Sequence, residues 1–279
     1  MKIKSLVPLL SLALLQACGG SDDDNPAFKT LSGNAPLVIG HRGSSGTLPE
    51  LTLESYKAAI EQGADYIEPD LVLTKDGVMI ARHEPMLDGT TDVASKFPES
   101  RKSTRNVDGV PTTAYFASDF TLAEIRTLRA LQARANRSQA YNGLFGIPTL
   151  DEVIALAKSE GTRLGRTVGI YPEIKHSTFH ADEVRFGANV FEDKLLTTLH
   201  TAYGNVASAP VFIQSFEVSN LQYLNTKTNI KLVQLIDEVY RALDLHVAIK
   251  LNNRKLLAGC AEIAGHPDHA LDIAIALDK

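Results

Sequence analysis

GADYIEPDLVLTKDG, residues 63–77, puts two carboxylates inside an apolar run. Glu68 and Asp70 lie two positions apart, and the period of a strand turns both to one face. Two acids among Tyr66, Ile67, Leu71 and Val72 repel each other and lose hydration unless a cation neutralises them. Spacing alone leaves two readings open. One is a hard divalent cation, Ca²⁺ or Mg²⁺, held by oxygen ligands. The other is an edge strand whose acids face water. The stretch predicts a strand over 64–74, a tight turn at Asp76-Gly77, and a further strand over 78–83.

Working outward, the same logic recurs at VGIYPEIK, residues 168–175, where Glu173 and Lys175 share a face. Either they form an internal ion pair, or Glu173 is a third metal carboxylate and Lys175 contacts an anion. His41 and His83 each end an apolar run. Strands alternate with helices: helices are predicted over 52–62, from Thr121 through Leu131, over 151–159 with a stop at Gly161, over 189–203 and over 217–225, and strands over 211–216 and 231–236. Thr121 with Glu124 and Thr149 with Glu152 have capping-box spacing. With the short apolar run at 36–40 as the first strand, this alternation implies βα units on a parallel sheet, six strands by Ile236. An α/β barrel of roughly 250 residues fits the length. In such a barrel the C-terminal strand ends share one rim, where His41, Glu68, Asp70, His83 and Glu173 would meet, with Arg42 offering a planar fork to phosphate. Residues 88–147 interrupt the rhythm and read as an excursion or lid after the third strand.

Of the 279 residues, 44% are apolar and the formal charge is −5, with no basic run, which argues against disorder and against nucleic acid as a partner. Met1-Lys-Ile-Lys4, the apolar Ser5–Leu15 and Leu15-Gln-Ala-Cys18 resemble a bacterial lipoprotein signal. Residues 1–17 would be removed, Cys18 lipidated, and 18–35 left as a tether. The domain at 36–279 would then sit in the periplasm, held to the membrane by its lipid anchor, the outer membrane ahead of the inner. With Cys18 acylated, Cys260 has no disulfide partner.

VIGHRGSSGTLPE (38–50) with TLESY (52–56), then GADYIEPDLVLTKDG (63–77), ARHE (81–84), IPTLDE (147–152), YPEIK (171–175) and QSF (214–216) resemble, in order, the blocks of the glycerophosphodiester phosphodiesterase family, in its longer periplasmic subgroup. The match spans about 37–237. The resemblance implies a TIM barrel, a divalent metal on Glu68, Asp70 and Glu173, His41 and His83 as acid and base, and Arg42 and Lys175 on the phosphate. The implied substrate is a small glycerophosphodiester, cleaved to glycerol 3-phosphate and an alcohol. Three features depart from the pattern. Leu51 replaces a polar residue, which would loosen support near His41. Glu84 replaces the commoner Asp. Residues 238–279 carry none of the family's last βα units, so the expectation is a barrel truncated after six strands, with the edges of strands 1 and 6 exposed. Two other readings stand beside this one: a non-catalytic barrel lipoprotein, and a phospholipase D-like relative acting on lysophospholipids.

Overall fold

The computed structural model describes residues 35–184, 186–236 and 273–277. The chain divides after Pro36, and every element below belongs to the second part. The strand pair β1 (Ile39–Gly40) and β2 (Tyr66–Ile67) flanks α1 (Leu53–Glu61), which starts where the Thr52 side chain accepts the Ser55 N–H. The apolar stripe of α1 buries Tyr56, Ala59 and Ile60, while Leu53 is partly covered.

The strand expected over 64–74 is interrupted at Glu68-Pro69. Its second half, β3 (Asp70–Leu73), pairs with different neighbours from β2. Proline has no N–H for a ladder, so the strand bends there and resumes. The strand expected over 168–175 breaks in the same way at Tyr171-Pro172, into β7 (Gly169–Ile170) and β8 (Glu173–Ile174). The two breaks lie side by side: β2 pairs with β7, and Asp70 stands opposite Glu173 in the β3–β8 ladder. The shared face of Glu68 and Asp70 therefore comes from matched kinks rather than from the period of one regular strand.

The third strand also differs from expectation. β4 (Met79–Ala81) runs antiparallel to β3, so its end does not reach the rim as a parallel barrel strand would. The tight turn at Asp76-Gly77, with Gly77 at φ 73°, folds the chain back and returns His83 to the level of Pro69 and Asp70.

The excursion is an ordered subdomain. It holds α2 (Val93–Lys96), the antiparallel hairpin β5 (Ser103–Val107) and β6 (Val110–Ala114), and the short α3 (Leu122–Ile125). Its Tyr115, Phe120, Ile125 and Leu128 pack with Val72 of β3 and Ile80 of β4 in a second core. The helix expected through Leu131 is a single capped turn; Ile125 and Leu128 still bury, the latter from non-helical backbone.

Helix α4 (Leu150–Leu164) passes through Gly161 and ends at Gly165, which is left-handed at φ 65°. Gly161 does not stop the helix. It lets the helix meet the next segment, since a Cβ there would lie 2.8 Å from the Arg166 carbonyl. After α4 come β7 and β8, then α5 (Val190–Tyr203), β9 (Phe212–Ser215), α6 (Val218–Asn225) and β10 (Lys231–Ile236). β8, β9 and β10 are parallel. Tyr56 of α1, Val153 of α4 and Leu195 of α5 pack with Ile67, Ile170 and Ile213 of the strands in one core. The architecture is that of a TIM-type α/β barrel, and among the described residues no strand closes it: β1 pairs only with β2.

The edge of β10 is not exposed, contrary to expectation. β11 (Ile273–Leu277) covers it antiparallel, with Leu232 opposite Leu277 and Ile236 opposite Ile273. Residues 237–272 with Cys260, the signal at 1–17 and Cys18 lie outside the described residues.

Candidate active site

Glu68, Asp70 and Glu173 converge at the paired kinks, buried, with one oxygen from each within 4.8 Å of the others. Backbone bonds fix them there: Glu173 N–H donates to Pro69 O at 3.0 Å and Arg82 N–H to Asp70 O at 2.9 Å. Gln214 Nε2 donates to Glu68 Oε1, and Lys175 Nζ lies 2.7 Å from Glu173 Oε1. Arg42 Nε is 3.2 Å from Asp70 Oδ2, a charge contact without hydrogen-bond alignment. Glu68 Oε2 and both Asp70 oxygens are buried and make no hydrogen bond. Buried carboxylate oxygens left unpaired are costly. These oxygens, in a cluster where Glu68, Asp70 and Glu173 each bring one carboxylate oxygen to within 4.8 Å of the others, fit a hard divalent cation, and the donor set is all oxygen.

The electrostatics agree. Burial, then the Asp70 charge, pushes Glu68 up to about 8, against the Gln214 hydrogen bond and the Arg42 and Lys175 charges. Burial also raises Glu173 well above the carboxylate range, although Lys175 pulls it down. Asp70 moves the other way: burial would raise it, but Lys175, Arg42, His83 and His41 outweigh burial and hold it low. Without a cation, the cluster keeps protons to limit its charge.

The His41-Arg42-Gly43 turn follows β1 directly. Arg42 sits at φ 56° and Gly43 at φ 84°, both left-handed. A Cβ at Gly43 would lie 2.5 Å from Ser55 Oγ, so only glycine lets the turn close on α1. His41 Nε2 is then 3.7 Å from Glu68 Oε2, and Arg42 Nη1 is 3.5 Å from Glu50 Oε2. On the other side, His83 Nδ1 lies 2.7 Å from Glu84 Oε1. The structure thus groups His41, Arg42, Glu68, Asp70, His83, Glu173 and Lys175 at one end of the strands.

Leu51 is tied to this end through its backbone. It is fully buried at φ 59°; its N–H donates to Arg42 O at 3.0 Å. What the position requires is a left-handed backbone, and the leucine side chain adds core packing. Sequence reasoning gave no role to Arg82. Its guanidinium, 1% exposed, donates to Glu50 O at 2.8 Å and Thr90 O at 3.2 Å, tying the His41 loop to the excursion. The signal available was a fully ionised residue between apolar Ala81 and His83. Gln214 was noted only as part of a block, and its bond to Glu68 joins residues far apart in sequence.

A family model of glycerophosphoryl diester phosphodiesterases matches residues 41–271. A glycerophosphodiester phosphodiesterase of Arabidopsis thaliana is 42% identical over 86% of this chain and 68% of its own length. One of Haemophilus influenzae is 35% identical over 85% of this chain and 66% of its own. The chain therefore spans about two thirds of these relatives. Among solved structures, an Oleispira antarctica phosphodiesterase in complex with the product sn-glycerol-3-phosphate superposes with a TM-score of 0.54 at 24% identity, covering 77% of this chain and 71% of that one. That likeness supports the TIM-type fold. By its sequence, its ordered motifs and its fold, the chain belongs to the glycerophosphodiester phosphodiesterase family.

Proposed function

We infer that the chain hydrolyses glycerophosphodiesters to glycerol 3-phosphate and a free alcohol, using a divalent cation, Ca²⁺ or Mg²⁺, held by Glu68, Asp70 and Glu173. The observation that carries this is the buried cluster of Glu68, Asp70 and Glu173, in which Glu68 and Asp70 keep three carboxylate oxygens without a hydrogen bond. When bound, the cation supplies Lewis-acid polarisation of the phosphodiester and neutralises charge on its oxygens. Arg42 and Lys175, already at the cluster, hold the anionic phosphate. His41 and His83 divide the proton transfers: one takes the proton of the attacking hydroxyl, either that of water or the glycerol 2-hydroxyl by way of a cyclic phosphate that water then opens, and the other returns a proton to the departing alcohol. Burial of the carboxylates keeps bulk water from competing for them.

The deciding experiment is release of glycerol 3-phosphate from glycerophosphocholine, with and without a chelator. Release that stops on chelation and returns with Ca²⁺ or Mg²⁺ supports the reading. No release under any metal condition would leave a binding barrel instead.

The sequence Leu15-Gln-Ala-Cys18 after an apolar run supports a lipid anchor on Cys18 and a periplasmic site. Among the described residues no helix is long and apolar enough to cross a membrane. Mass spectrometry of the membrane fraction for an acylated Cys18, with Cys18→Ser as control, tests the anchor.

A further inference from the structure

The β5–β6 hairpin ends on the active site. Its tip residue Asp108 sits at φ 49°, and its two carboxylate oxygens lie 3.3 and 3.2 Å from His176 Nδ1. The other nitrogen of that ring, Nε2, faces Glu84 Oε2 at 3.4 Å. The second oxygen of Glu84 is 2.7 Å from His83 Nδ1. Acid, imidazole, acid and imidazole therefore run in sequence from the hairpin tip to His83.

Two backbone features support the row. His176 follows Lys175 directly yet has φ 50°, a conformation side chains rarely adopt. The bend lets neighbouring residues serve different partners, Lys175 reaching Glu173 and His176 reaching Glu84 and Asp108. The hairpin is also pinned beside the row: Arg105 Nη1 donates to Glu183 O at 2.9 Å, and Asn106 N–H to Glu183 Oε2 at 3.3 Å.

We propose that Asp108 and His176 are positioning residues for His83, acting through Glu84, so that the excursion sets the orientation and tautomer of a proton-transferring imidazole. This rests on the proposed hydrolysis. A carboxylate that accepts Nδ1–H leaves Nε2 as the working nitrogen of the ring. Glu84 can hold His83 this way only if Glu84 is itself held. Burial opposes a charged His176, but Glu84 and Asp108 outweigh burial and raise it. This setting favours the proton-bearing form of His176, whose ring nitrogens face one acid each, and that holds Glu84 in place.

The test compares Glu84→Gln, Glu84→Asp, His176→Asn, Asp108→Asn and the Glu84→Gln/His176→Asn double variant. Glycerophosphocholine turnover is read alongside the ¹⁵N resonances of the His83 ring in metal-free protein. Glu84→Gln should lower kcat about 10–100-fold, His176→Asn about 10-fold and Asp108→Asn about 3-fold, each with KM within about twofold. Glu84→Asp should recover most of the rate. The double variant should be no slower than Glu84→Gln, because both residues act along one row. His83 should lose its single-tautomer signature in Glu84→Gln and His176→Asn. Wild-type kcat and unchanged His83 resonances in His176→Asn and Asp108→Asn would overturn the proposal, as would multiplying losses in the double variant. Asp108 is at an exposed tip, so its variant folds even if His176→Asn does not. If wild-type protein releases no glycerol 3-phosphate, the hydrolysis reading fails, and the ring resonances alone decide the positioning role.

Discussion

The strand wall and the excursion handle charge in opposite ways. In the excursion, acids find bases: Arg101 bonds Glu124 at 2.9 Å and lies 4.3 Å over the Phe120 ring, and Arg105 pairs with Asp119. On the wall, Glu68 and Asp70 are more deeply buried yet keep three oxygens without a hydrogen bond. The excursion's charges serve its folding. Those on the wall oppose folding and wait for a ligand. A cluster of buried carboxylates with unpaired oxygens, rather than burial itself, marks the functional region.

Glu68→Gln separates the two most sharply. It should reduce turnover roughly 1,000-fold by removing a metal ligand. The metal-free fold should not suffer, because Glu68, raised to about 8, is already protonated at neutral pH and resembles glutamine. Thermal melts with and without Ca²⁺ check this: wild type should gain stability from the ion and the variant should not.

His41→Ala and His83→Ala come next. Each should cut turnover about 100- to 1,000-fold through lost proton transfer, with the melting temperature kept. Near-wild-type activity in both would end the assignment.

Acidity gives a third contrast. The Glu68 pKa is about 8 folded and about 4.3 unfolded. Between these values the folded state binds the extra proton. Metal-free protein should therefore be most stable below about pH 4.3 with respect to this group, losing on the order of a few kcal/mol as pH rises to about 8. Cation affinity should move oppositely, strengthening toward pH 8 as the competing proton leaves. Urea titrations and calorimetry across pH 5–9 read both, and Glu68→Gln should flatten both.

What the sequence disclosed follows the same division. Glu68, Asp70, Glu173 and Lys175 were legible because charge in an apolar run is expensive and demands a reason. Their geometry was not, because Pro69 and Pro172 break the strands whose regular period the reading assumed. His83 was legible as a site residue, yet it arrives by an antiparallel hairpin and not at the end of a parallel strand. Gly161 looked like a stop because local rules cannot see that Arg166 folds back against it. The Asp108–His176 contact joins residues 68 apart, through a hairpin whose strands alternate no apolar face. Nothing local encodes it.

In the excursion, Arg101→Ala removes an ion pair and a ring contact that serve folding. It should cost about 1–2 kcal/mol in urea unfolding with kcat unchanged.

The smallest contrast uses the same motif placed in both regions. Thr149 caps α4 on the wall and Thr121 caps α3 in the excursion, each in a complete capping box. Either hydroxyl accepts the N–H three residues on at 3.3 Å. The surroundings differ. Leu122 N–H, at the start of α3, is also bonded by Asp76 Oδ1 at 3.0 Å, so that helix keeps a second acceptor when the threonine goes. Thr149 is buried, stands opposite Ile80, and starts a 15-residue helix packed against the core. Thr149→Ala should cost about 1 kcal/mol and Thr121→Ala about half that. Serine at either position should restore the loss, because it keeps the oxygen. Equal shifts in the two alanine variants would show that Asp76 contributes nothing to the excursion cap. A larger shift at Thr121 would mean that the excursion, and not the wall, limits the cooperativity of the fold.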